Sequence, residues 1–118
     1  ALVSLLAQIG RQGIVVKTPP GVLHLKSDCS MLDEETILCT GRLAAAEPFP
    51  GLRVLLTPEG EEWAANALRI GDAVLIEEGY PRTAEALARA GYRVTTLATG
   101  EIAKIDAGLS CMSLRWKA

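Results

Sequence analysis

Asn66-Ala67-Leu68-Arg69-Ile70-Gly71-Asp72-Ala73-Val74-Leu75-Ile76 is a pair of apolar runs on either side of Gly71-Asp72. A glycine leading a two-residue loop takes positive φ without steric cost and favours the type II′ turn, so the stretch predicts a β-hairpin. Glu59, Glu61 and Glu62 ahead of Trp63 would suit a helix start, but the glycine-led loop outweighs that signal, and Glu59-Gly60-Glu61-Glu62 is expected to be a solvated face. Beyond the hairpin, Pro81-Arg82-Thr83 opens a segment in which Ala84, Leu87 and Ala88 mark a short amphipathic helix, with Gly91 at its end. Tyr92 to Leu97 alternates as a strand, Thr99 to Lys104 makes a helical turn, and Ser110 to Trp116 alternates again as a final strand. Two strands, a helix and a returning strand define an α/β fold with a mixed sheet.

Toward the N-terminus a similar rhythm of paired strands recurs, as expected of related small modules. Arg53 to Leu56 reads as a strand and Arg42 to Gly51, with two prolines and three alanines, as a connection holding a short helical turn. Val22 to Met31 and Thr36 to Thr40 flank the polar break Asp33-Glu34-Glu35 and read as antiparallel strands, with Cys29 facing Cys39 as reduced thiols. Ile14-Val15-Val16 is a β-branched run, read as a strand, that stops at Thr18-Pro19-Pro20-Gly21 because prolines remove ladder donors. Leu2, Leu5, Leu6 and Ile9 line one helical face, which Gly10 and Gly13 end.

Composition narrows the function classes. The chain has 118 residues, 49% hydrophobic and 22% charged, as expected of a single domain spanning residues 1–118. A net charge of -2 argues against nucleic acid as a partner. Apolar stretches fall short of the roughly 18 residues that a bilayer span needs, so no membrane association is expected. The opening run has no basic n-region, and no secretory signal is expected. Three cysteines without a CxxC pair argue against a disulfide framework and for a reducing, cytoplasmic setting. Aromatic content is 4%, too little for recognition by ring stacking.

Two residues stand out for chemistry. His24 is the only histidine. It reads either as a partly exposed strand residue beside Val22 and Lys26 or as a general acid/base, the role its near-neutral titration suits. Cys111 follows the small residues Ala107, Gly108 and Ser110. It reads either as a small buried hydrophobe or, in an electropositive setting, as a nucleophile. A Cys₃His zinc site is disfavoured because positions 24, 29, 39 and 111 include no short paired spacing, and no metal is expected. No GxGxxG, P-loop or GxSxG motif occurs.

Three ordered strings carry a resemblance over nearly the whole chain: Leu23-His24-Leu25-Lys26-Ser27, Gly79-Tyr80-Pro81-Arg82-Thr83, and Lys104-Ile105-Asp106-Ala107-Gly108-Leu109-Ser110-Cys111-Met112-Ser113-Leu114-Arg115. They resemble the C-terminal half of the dimethylarginine dimethylaminohydrolases, members of the guanidino-group-modifying pentein superfamily. The resemblance implies a partial α/β propeller of ββαβ modules, about half of a pentein fan, with mixed sheets. It implies Cys111 as nucleophile, His24 as general acid/base, and Ile105, Asp106 and Ser27 as substrate-binding positions. Lys26 after the His-Leu pair points to this family over arginine deiminases, which typically carry Asp there.

The implied activity is hydrolysis of Nω-methylated arginine to citrulline through a covalent thiouronium, without a cofactor. The implied partner is a small guanidino molecule. In the family the carboxylates that orient the histidine and grip the guanidinium come from the N-terminal half, so that half or a second copy is expected to complete the ring, and a homo-oligomer is the expected state. A non-catalytic binding or structural module, or a deiminase- or amidinotransferase-type enzyme, is the alternative reading.

Overall fold

The structure, a computed structural model, describes residues 1–114. Helices α1 (Leu2–Gln8) and α2 (Leu25–Asp28) lead into a sheet of β1 (Cys29–Met31), β2 (Thr36–Cys39) and, after the short helix α3 (Gly41–Ala44), β3 (Arg53–Leu56). A 3-10 turn at Glu62–Ala65 then leads to a second sheet of β4 (Leu68–Ile70), β5 (Ala73–Glu77) and, after α4 (Pro81–Arg89), β6 (Arg93–Leu97). The last helix is α5 (Gly100–Ala103). In each sheet the first two strands are antiparallel and the third lies parallel to the second. A parallel return cannot be made by a tight turn, so each sheet needs its helix-bearing crossover. The chain is thus ββαβ written twice, and among the described residues neither sheet closes on itself.

Local chemistry explains the second unit. Gly71 has φ +60° and pairs off Ile70 with Ala73 across the β4–β5 hairpin. Pro81, lacking an N–H, begins α4, and Gly91 at φ +94° ends it. There Gly91 N donates to the Ala88 carbonyl at 3.0 Å and Tyr92 N to the Leu87 carbonyl at 3.1 Å, the paired closure that satisfies a helix's last acceptors.

Two apolar clusters share the central strand β2, which is buried at every position. Side chains alternate along a strand. Ile37 and Cys39 therefore join Val22, Cys29 and Leu43 under α3, whereas Leu38 joins Leu32, Ala67, Val74, Ile76 and Leu87 of the second unit. Cys29 is registered opposite Cys39, as the polar break predicts.

Four expectations are corrected. Ile14-Val15-Val16 is not a strand: Ile14 and Val15 are exposed, and an unpaired strand leaves its backbone groups unsatisfied. The stretch from Val22 does not run extended to Met31; α2 intervenes, because Asp28 is buried and turns to meet the Thr40 hydroxyl at 2.7 Å and the Arg42 guanidinium at 2.8 Å. Ser110 to Leu114 is not a strand: residues 109–112 form a turn in which Cys111 N and Met112 N donate to the Gly108 carbonyl, and Ser113 N donates to that of Ser110. Residues 115–116 of that expected strand lie outside the described residues. Finally, Glu59 to Glu62 is not wholly a solvated face. Glu61 is 5% exposed and reaches across to α4. Among the described residues no helix is long and apolar enough to cross a membrane.

Candidate active site

Gly108 to Met112 forms a tight turn after α5, and its shape is set by a side chain from the other end of the second unit. Asn66, 3% exposed between the 3-10 turn and β4, accepts from Ser110 N through Oδ1 at 2.9 Å and places Nδ2 3.6 Å from Cys111 Sγ. Ser110 Oγ donates to the Lys26 carbonyl at 3.4 Å, tying the turn to α2 across 84 positions of chain. His24 opens that same α2 as its N-terminal flanking residue. The Cys111 segment and the His24 segment are therefore neighbours, although 86 other residues separate them along the chain.

The three thiols differ sharply. Burial first, and then the adjacent Cys39, pushes Cys29 up to about 12, and burial raises Cys39 to about 11. Both stay protonated and inert at neutral pH. Cys111 is exposed and shifted the other way: a backbone hydrogen bond from Gly108 lowers it most, burial opposes this, and Asn66, Ser110 and the charge of Lys26 add to the lowering. An accessible thiol with fixed donors and a nearby cation is the setting in which a cysteine attacks.

The other expected positions are more loosely held. His24 is exposed, with extended backbone at φ -127° and ψ 129°, and makes no capping bond; it is not a mid-strand residue. Ser27 is half-buried inside α2, and its amide donates to the His24 carbonyl at 3.1 Å. Ile105 is 72% exposed. Asp106 is exposed with left-handed φ of 55°, a conformation aspartate tolerates better than most residues. A hollow of about 760 Å³ opens beside these residues, walled by Leu25, Lys26, Ser30, Ala67, Arg69 and Ser110 among others, and neither Cys111 nor His24 lines it. Among the described residues no three His, Cys, Asp or Glu side chains gather as a metal site.

Asn66 and Ser30 escape the sequence reading. A Cβ built on Gly108 would lie 2.1 Å from Asn66 Nδ2, so a protein side chain by itself requires glycine there. The one signal for Asn66 is a polar residue set inside the apolar run Trp63-Ala64-Ala65-Asn66-Ala67-Leu68.

No protein-family model matches the chain. An amidinotransferase of saxitoxin biosynthesis from Microseira wollei shares its fold, with a TM-score of 0.77 at 16% identity, over 93% of this chain and 36% of that one. The repeated ββαβ units and mixed sheets are thus an α/β fold of the kind seen in that amidinotransferase. In sequence it is similar to the dimethylarginine dimethylaminohydrolases. It is 39% identical to the Pseudomonas aeruginosa enzyme of that name over 115 residues, 98% of this chain and 45% of that protein. A structure of a mutant of that enzyme complexed with citrulline superposes with a TM-score of 0.89 at 38% identity, over 98% of this chain and 45% of that one. The chain spans somewhat less than half the length of these relatives.

Proposed function

We propose that this chain carries the nucleophile and the proton shuttle of an enzyme that hydrolyses Nω-methylated arginine to citrulline and methylamine or dimethylamine. The observation that carries the reading is the exposed Cys111 thiol, lowered by fixed donors, in a turn whose Ser110 hydroxyl is bonded to the Lys26 carbonyl of the helix that His24 opens. A guanidinium carbon is a poor electrophile, so attack needs a strong nucleophile held in line and a positioned proton donor. Cys111 thiolate attacks that carbon and forms the S–C bond. His24 protonates the departing amine as its C–N bond breaks, leaving a thiouronium. His24 then takes a proton from water, the hydroxide adds to the carbon, the S–C bond breaks, and the product sheds its hydroxyl proton to solvent and leaves as citrulline, with the thiolate and the protonated His24 restored. The Asp106 carboxylate and the exposed Ile105 backbone stand before the nucleophile turn as contacts for substrate, and Ser27 as a polar group beside His24. No cofactor takes part.

The two ββαβ units are read as neighbouring blades of a five-bladed fan. Apolar side chains left open on α1 and on the edge strand, with Leu2 at 69% and Leu56 at 51%, are surface for the rest of that ring, whether a longer polypeptide or a second copy supplies it. The orienting and guanidinium-holding carboxylates belong to that complementing part. The cytoplasm, with its reduced thiols, is the expected setting.

The test is citrulline release from asymmetric dimethylarginine by the complete assembly. Cys111→Ser is expected to abolish it and His24→Gly to reduce it by orders of magnitude. Undiminished turnover in Cys111→Ser overturns the reading.

A further inference from the structure

Asn66 is tied at both ends of its side chain. Ser110 N–H is a donor and must be met by an acceptor, so the amide is oriented with Oδ1 toward Ser110 at 2.9 Å, which leaves the NH₂ group facing Cys111 Sγ at 3.6 Å. The bracket cannot slide, because the backbone of Gly108 packs so closely that an added Cβ would lie 2.4 Å from Asn66 Cγ. It is also clamped from behind. Ser30 Oγ on β1 donates to the Ala65 carbonyl at 2.6 Å, stands 2.9 Å from the Ala67 carbonyl, and accepts from Ala67 N at 3.0 Å. One hydroxyl thereby fixes the peptides on both sides of Asn66 and joins the first sheet to the second.

A buried amide that merely braced a turn would need only the bond to Ser110. Here the second arm is spent on the sulfur, and a neutral donor fixed in a dry position stabilises developing negative charge without having to reorganise.

We propose that Asn66 is a catalytic residue of this site, whose amide donates to the Cys111 thiolate and aims it, and that Ser30 is the positioning residue that locks Asn66. The assignment rests on the reading that Cys111 is the nucleophile. It concerns the thiolate itself, so it can be judged apart from turnover.

The experiment is the pH dependence of Cys111 alkylation by iodoacetamide in the full chain, followed by mass spectrometry of the peptide bearing it, with buried Cys29 and Cys39 as unreactive internal controls. Asn66→Asp keeps an acceptor for Ser110 N at nearly constant shape but replaces the donor with a carboxylate. It is expected to move the alkylation midpoint up by about one pH unit or more, a roughly tenfold slower reaction at neutral pH, since one unit is a factor of ten in thiolate. Ser30→Ala keeps Asn66 and loosens only its clamp, and is expected to shift the midpoint the same way by a smaller amount. A folded Asn66→Asp protein with the parent profile overturns the proposal. If that variant does not fold, the Ser30→Ala profile decides, and an unshifted midpoint overturns it equally. Citrulline release surviving in Cys111→Ser would remove the hydrolase reading while leaving this measurement to stand or fall alone.

Discussion

Glu61 reaches more than twenty residues along the chain to cap α4, and its removal is the sharpest test of how the second unit is held. One carboxylate accepts from Thr83 N and Thr83 Oγ1 at 2.7 Å each, from Arg82 N at 3.2 Å and from Arg82 Nε at 3.3 Å. Tyr80 at the N-cap position provides no side-chain cap, so these are the bonds that meet the first free donors of the helix. Glu61→Ala loses a cap, about 1 kcal/mol, and strands the buried Thr83 hydroxyl, a further 1–3 kcal/mol or so, for a total of about 3 kcal/mol. In a chain of this size that corresponds to a fall in Tm of about 10 °C.

The cost has a defined pH dependence. Burial alone would raise the Glu61 carboxyl, but the hydrogen bonds from Thr83 and Arg82 outweigh it and hold the group below its ordinary value of 4.5. A carboxylate lower in the folded state than in the unfolded one stabilises fully above the unfolded value, and that contribution is lost as pH falls through the folded one. Urea unfolding at a series of pH values should therefore show the gap between parent and Glu61→Ala wide at pH 7 and narrowing below about pH 4.5. Glu61→Gln, which keeps the shape, should lose less. A gap under about 0.5 kcal/mol at pH 7, within the scatter of ordinary surface substitutions, or one that widens on acidification, refutes the cap.

Two further outcomes follow from single contacts. Gly108→Ala must drive Asn66 from its place, at a cost of about 1–3 kcal/mol for overpacking, and should slow Cys111 alkylation; a variant neutral in urea unfolding would show that the close approach is not real. The Asp33 carboxyl is held at about 2 chiefly by a hydrogen bond from the Tyr92 hydroxyl and next by the Glu35 amide. Tyr92→Phe should raise it toward the ordinary 3.8, as read by carboxyl NMR titration. The stabilising contribution of that bond is in place above 3.8 and is lost as pH falls through about 2. An unmoved titration refutes it.

Much of the fold is legible in short-range patterns. The Gly71-Asp72 hairpin, the Pro81 start and Gly91 stop of α4, and the facing of Cys29 and Cys39 each follow from residues within a dozen positions of one another. Except at Ile14-Val15-Val16, which pairs with no strand among the described residues, the structure departs from the expectations where a distant partner overrides a local pattern. Alternation at Ser110 to Leu114 resembles a strand, yet Asn66 captures Ser110 N and the turn closes on Gly108. Val22 to Asp28 is β-like until Asp28 is claimed by Thr40 and Arg42. Glu61 sits in a run of charge, and its bonds to Thr83 and Arg82 accompany its burial.

The sequence by itself determined the two ββαβ units, because turns, caps and side-chain periodicity act over a few residues and leave marks that can be read in order. It also drew notice to His24 as the lone histidine, whereas Cys111, one of three cysteines, was set apart from the other two by the family resemblance of the string around it. Tertiary structure alone decided what surrounds the sulfur. Asn66, Ser30 and Lys26 come from parts of the chain 45 to 85 positions away, and no local pattern encodes which distant amide, hydroxyl or charge the packing of two sheets will bring to one thiol.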